Sequence, residues 1–144
     1  MRTFLIAAAT LAACSAPMAQ AQSVRDALDG TWAFQTASYG DERVGAIMSG
    51  AAIFLRSAQD RYDISLISNE RLVNRETGET AFLTARQTCT GVNDGGQLTV
   101  SCQLAEPLEG YEPDNFVLQA GEDRQLIGVL SSAASPQVTF SKLD

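Results

Sequence analysis

The chain contains no histidine. That absence removes serine–histidine and cysteine–histidine nucleophile pairs and every histidine-ligated zinc site. Lysine is nearly absent too, Lys142 being the one lysine among ten basic residues, against seventeen acidic ones. The resulting surface repels phosphate backbones and anionic headgroups, which argues against nucleic acid as a partner. Cysteine occurs three times, at Cys14, Cys89 and Cys102, with no C-x-x-C redox spacing. No long apolar run is present: Phe4 to Ala13 spans ten residues, too few for a bilayer core of about 30 Å. Internal repeats, low-complexity tracts and a second domain are also missing. The acidic residues Glu106, Glu109, Glu112 and Asp114 cluster without the D-x-D-x-D-G register of a calcium loop, which predicts a solvated acidic loop and no metal site.

What is present begins with an export signal. Arg2 supplies the positive charge, Phe4 to Ala13 the apolar segment, and small residues follow. Two processing routes stay open. Ala19-Gln20-Ala21 is an A-x-A site, giving a signal over residues 1–21 and a single domain over 22–144. Leu11-Ala12-Ala13-Cys14 matches the bacterial lipobox, giving a lipoprotein signal over 1–13 with lipidated Cys14 as the anchor. Either route implies an exported protein, periplasmic or lipid-anchored to the envelope, and leaves Cys89 and Cys102 as an even pair. Removing Arg2 with the signal changes the net charge from −7 to −8.

The stretch Thr88–Cys102 organises the remainder. With Gly95-Gly96 at the tip of a two-residue hairpin, Asp94 faces Gln97 and, at the sixth pair, Cys89 faces Cys102. Pairs alternate between hydrogen-bonded and non-hydrogen-bonded, so the sixth is of the close kind, with Cα atoms about 4.5 Å apart. The spacing predicts a cross-strand disulfide on the face shared by Leu98, Val100 and Leu104. It is expected to be structural.

Further strands are predicted on either side. Trp32 and Phe34 alternate with Thr31, Ala33 and Gln35, and Tyr62, Ile64 and Leu66 alternate with Asp63 and Ser65. Ala51–Ser57, Arg71–Arg75, Thr80–Thr90, Phe116–Ala120, Gln125–Leu130 and Val138–Lys142 also have strand composition. Ser23–Asp29 has the pattern of a helical turn. Tyr39–Gly50, with three glycines and three charges, reads as a loop containing at most a short strand at Val44–Met48. In Ala105–Asn115, Asp114-Asn115 is expected to bond the local backbone while Tyr111 and Phe116 pin the loop to the domain. Trp32, Phe34, Tyr62, Phe82, Phe116 and Phe140 are expected in the core. Short strands joined by short turns predict an all-β fold, a single small antiparallel up-and-down barrel of about eight strands, with a β-sandwich as the alternative.

Leu28-Asp29-Gly30-Thr31-Trp32 resembles the G-x-W entry of lipocalins and the wider calycin group. The resemblance implies that Trp32 closes one end of the barrel beneath a basic residue of the last strand, here Lys142. A fainter architectural likeness is to small periplasmic inhibitors of metalloproteases, exported barrels with one disulfide that act through an N-terminal segment. Two functions follow as expectations for a non-enzymatic monomer without cofactor. One is binding of a small apolar ligand inside the barrel. The other is an inhibitor or interaction module for an exported protein, using the N-terminal segment or Tyr39–Gly50.

Overall fold

The computed structural model describes residues 28–143. The signal, Cys14 and most of the Ser23–Asp29 segment lie outside these residues. Nine strands are described: β1 (Gly30–Thr36), β2 (Tyr39–Gly40), β3 (Val44–Ala58), β4 (Arg61–Asn74), β5 (Thr80–Asp94), β6 (Gln97–Leu104), β7 (Phe116–Ala120), β8 (Gln125–Leu130) and β9 (Gln137–Lys142). Each pairs antiparallel with its neighbours in the order β1-β9-β8-β7-β6-β5-β4-β3-β2, and β1 also pairs with β3. That last pairing, running from Gly30 opposite Phe54 to Gln35 opposite Ser49, joins eight strands into a closed up-and-down barrel. Closure rules out the sandwich.

The hairpin register is the one counted from the sequence, Asp94 opposite Gln97 and Cys89 opposite Cys102. The two cysteines form a disulfide with Cα atoms 4.0 Å apart. It sits on the inward face with Leu98 and Val100, which are buried.

Alternation in each strand sends one face to the lumen, and aromatic side chains fill it. Phe34 stacks on Phe140 with ring centroids 4.8 Å apart. Phe116 meets both edge-on, at 5.7 Å from Phe34 and 5.3 Å from Phe140, and Phe54 lies 6.2 Å from Phe140. Met48, Tyr62, Ile64, Leu66, Leu118, Leu126, Leu130 and Val138 complete the core. An eight-stranded barrel is just wide enough for its own side chains to occupy it.

One end holds Trp32. Its indole N–H donates to the Leu28 carbonyl at 2.9 Å, its ring meets Phe54 edge-on at 5.7 Å, and the Lys142 ammonium lies 5.9 Å from the ring centroid. Lys142 stands opposite Trp32 in the β1–β9 register. Trp32 and Lys142 thus meet, with Gly30 opening β1 two residues before Trp32, in a barrel compatible with a calycin-like fold.

Three expectations are corrected. Tyr39–Gly50 is not a loop: β2 and β3 form a hairpin there, because the Asp41 carboxylate accepts the N–H groups of Arg43 (2.7 Å) and Val44 (2.8 Å) and fixes a tight turn. The glycine that suggested irregularity, Gly50, marks a close approach within a strand. A Cβ there would lie 2.1 Å from the Ile67 carbonyl oxygen and 2.7 Å from the Phe34 ring. Next, Arg71–Arg75 is not a separate strand, since β4 continues through Asn69 and Glu70. Finally, Phe82 is not in the core: it points outward and is 63% exposed.

The loop closed by the disulfide sets its value. Cys89→Ala should lower stability by about 3 kcal/mol on the chain-entropy argument. Urea unfolding of the oxidised and reduced wild type and of the variant checks this. An unchanged midpoint on reduction contradicts it.

Candidate functional site

The barrel has two unlike ends. The turns β3–β4, β5–β6 and β7–β8 lie at the Trp32 end, while β1–β2–β3, β4–β5, β6–β7 and β8–β9 connect at the other. At this second end β3, β4 and β5 are longer than their neighbours. β6 stops at Leu104, opposite Gln87, whereas β4 and β5 stay paired as far as Val73 opposite Thr80. The result is a three-stranded ribbon rising past the rim.

The inward face of that ribbon continues the lumen positions of each strand, but its chemistry turns polar. Below it come Tyr62, Ile64 and Leu66; then, on the same face of β4, Ser68 and Glu70. On β5 the inward series includes Ala85 and Gln87. The β6–β7 loop folds over this face and inserts Asp114. Ser68, Gln87 and Asp114 are 0%, 2% and 4% exposed.

Asp114 corrects the expectation of a solvated acidic loop bonded to its own backbone. Its Oδ2 accepts from Ser68 Oγ at 2.8 Å, from Tyr111 Oη at 2.9 Å and from Gln87 Nε2. Its N–H donates to Gln87 Oε1 at 2.8 Å. The neighbouring Asn115 also reaches across rather than locally, its Oδ1 accepting the Cys102 N–H at 2.9 Å. Tyr111 and Phe116 do anchor the loop, one by its hydroxyl and the other by burial in the core. Beside them Tyr39 donates its phenol proton to Glu70 Oε1.

These groups surround an open cavity of about 360 Å³. Tyr39, Glu70, Tyr111, Glu112 and Asp114 line it with Met48, Leu72, Leu83 and Ala133. Burial pushes the Asp114 carboxyl above its ordinary value of 3.8, against the hydrogen bonds from Gln87, Ser68 and Tyr111, which favour the ionised form. Burial likewise raises Tyr39 and Tyr111, so both phenols stay protonated as donors. Among the described residues no three cysteine, aspartate, glutamate or histidine side chains converge as a metal site. The arrangement is suited to accepting hydrogen bonds and positive charge.

The outer edge of the ribbon is a second feature. The two-residue turn makes Asp94–Gln97 a hydrogen-bonded pair, so even-numbered residues of β5 aim their N–H and C=O groups at β6. Asn93, an odd residue, accordingly donates the other way, to the Asp60 carbonyl at 2.8 Å. Past the end of β6, Arg86 C=O accepts the Ala105 N–H at 2.9 Å. Thr84, Phe82 and Thr80 then present their backbone groups along an edge that no described strand covers.

Sequence reading names Tyr111 as a loop anchor and Tyr39–Gly50 as a candidate interaction segment, and the fold brings Tyr111 and Tyr39 to one cavity. It placed the disulfide pair correctly. It missed Ser68, Glu70 and Gln87, whose signal was available: counting by twos from Ile64 and Cys89 puts polar side chains at lumen positions. Glu106 and Glu109 are exposed, and Glu122 and Asp123 lie in the β7–β8 turn at the opposite end. Comparison with protein-family models and with curated proteins returned no match.

The raised Asp114 carboxyl makes a signed prediction. The folded state holds this proton more tightly than the unfolded chain, so the stabilisation is complete below pH 3.8 and is lost as pH rises through the folded-state value. Asp114→Asn keeps a carbonyl acceptor for the three donors and removes the titration. Its stability relative to wild type should therefore be most favourable at neutral pH and should decline toward pH 4. Asp114→Ala should cost about 1–3 kcal/mol for each buried partner it orphans. Urea unfolding between pH 4 and 8 reads both. Parallel curves for wild type and Asp114→Asn contradict the assignment.

Proposed function

We propose that this chain is an exported, non-enzymatic protein-interaction module of the cell envelope. It captures an extended, acidic segment of another exported protein by strand addition to the open edge of β5. The observation that carries this reading is the edge itself. Thr80–Ala85 (TAFLTA) contains no proline and no charge, and it lacks the devices that usually blunt a sheet edge. Its backbone groups at Thr80, Phe82 and Thr84 supply the ladder for one more strand. Phe82, exposed beside them, supplies an apolar contact. Arg71, directly opposite Phe82 in register, and Arg86 are exposed on the same outer face and favour an acidic partner on a protein that is otherwise acidic.

The alternative of a small apolar ligand inside the barrel requires an empty lumen. Phe34, Phe54, Phe116 and Phe140 occupy the described lumen, which favours the interaction module. Export is supported by the signal pattern and by a disulfide, a bond that persists in oxidising compartments. Periplasmic release and a lipid anchor at Cys14 are both compatible with it. The absence of histidine and of a nucleophile motif supports a non-enzymatic role, and the acidic surface disfavours nucleic acid.

A photo-crosslinking side chain at Phe82 should join the protein covalently to one defined exported partner in cells that make it. Thr84→Pro removes an outward N–H and leaves the backbone bonds to β4 intact, losing only the exposed bond from Asn69 Nδ2 to Thr84 Oγ1. It should abolish the adduct with little change in melting temperature. No adduct at Phe82, or an adduct that persists in a folded Thr84→Pro protein, contradicts the proposal.

A further inference from the structure

We propose that the cavity at the ribbon end is a binding site for a small organic ammonium ion carried on an apolar body. This site is separate from the β5 edge and does not depend on it. Its volume, about 360 Å³, falls in the range of small-molecule pockets, roughly 300–1,000 Å³. Its lining holds the carboxyl groups of Glu70, Glu112 and Asp114 and the phenols of Tyr39 and Tyr111, with no lysine or arginine. An anion would meet only like charge there. Met48, Leu72, Leu83 and Ala133 supply apolar wall for a hydrocarbon body.

The floor shows where the charge would sit. Asp114 is more than nine-tenths buried. Its Oδ2 takes three hydrogen bonds, and its Oδ1 takes none from the described residues. Asp114 lines the cavity, and no buried side-chain nitrogen or oxygen among those residues lacks a partner, which leaves Oδ1 as the oxygen free to take a donor from a ligand. A carboxylate oxygen desolvated on one side and open on the other gains most from a charged donor. An ammonium group supplies three such donors, and Tyr39 and Tyr111, aromatic residues of the lining, are of the kind that attracts the same charge. Glu70, held by Tyr39, gives a second acceptor in the same lining.

The test is isothermal titration calorimetry of the intact, disulfide-bonded protein with phenethylammonium and with its neutral counterpart 2-phenylethanol. Phenethylammonium should bind one to one, about tenfold or more tightly than the alcohol. Glu70→Gln and Asp114→Asn should each weaken it about tenfold or more, and Thr84→Pro should leave it unchanged. Amide shifts on binding should concentrate at Glu70, Leu83 and Tyr111. Near-ultraviolet circular dichroism checks that each variant is folded; if Asp114→Asn is not, Glu70→Gln alone decides. Equal binding of amine and alcohol, no saturable heat with the amine, or wild-type affinity in a folded Glu70→Gln protein overturns the proposal. Failure of the otherwise wild-type protein to form a Phe82 crosslink, with amine binding intact, would count against the edge reading alone.

Discussion

The pairing of β1 with β3 sets the width of the molecule, and the lumen follows from it. Without that pairing the eight barrel strands would form an open meander with two edges and one apolar face. Adding the Trp32–Ala52 and Phe34–Gly50 pairs closes that face around itself. Closure demands a close backbone approach where Phe34 crosses Gly50, and only a residue without a Cβ fits there. The ring is then narrow enough that Phe34, Phe54, Phe116 and Phe140 fill it. The polar cavity lies where the ring is incomplete, at the end where β3–β5 outrun their neighbours.

That incompleteness concentrates the unusual chemistry at one end. The lumen positions of β4 and β5 continue into the ribbon, yet the opposing strands have ended, so apolar side chains there would face water. Polar side chains replace them, and the β6–β7 loop covers them with Asp114. Ser68, Gln87 and Tyr111 all bond one carboxyl oxygen of Asp114, a residue that lines the cavity. On the outer side, the early end of β6 leaves backbone groups of β5 along an edge. Both the cavity and the edge are consequences of unequal strand length.

Much of this was legible in the residues. The count outward from Gly95-Gly96 fixes the register of β5 and β6, and with it the disulfide, because strand pairing has period two and a two-residue turn allows no slack. The barrel follows from short turns and alternating patterns, and the Trp32–Lys142 pair from the G-x-W resemblance. What failed did so for identifiable reasons. Gly45 and Gly50 count toward a loop over Tyr39–Gly50 in the sequence, although glycine in a strand can equally mark close packing. Phe82 was assigned to the core on residue type, while its parity on β5 puts it on the outer face with Thr84 and Arg86. Asp114 was assigned to solvent on charge, since its three partners come from β4, β5 and its own loop and no local pattern announces them.

Amide hydrogen exchange along β5 tests the open edge most directly. Residues Ala81, Leu83 and Ala85 donate to β4, whereas Thr80, Phe82 and Thr84 donate outward. The exchange rates should therefore alternate over Thr80–Ala85, fast at even and slow at odd positions, and become uniformly slow from Thr88 onward where β6 is present. Uniform protection across Thr80–Ala85 would mean that the edge is already covered and would contradict a strand-adding surface there.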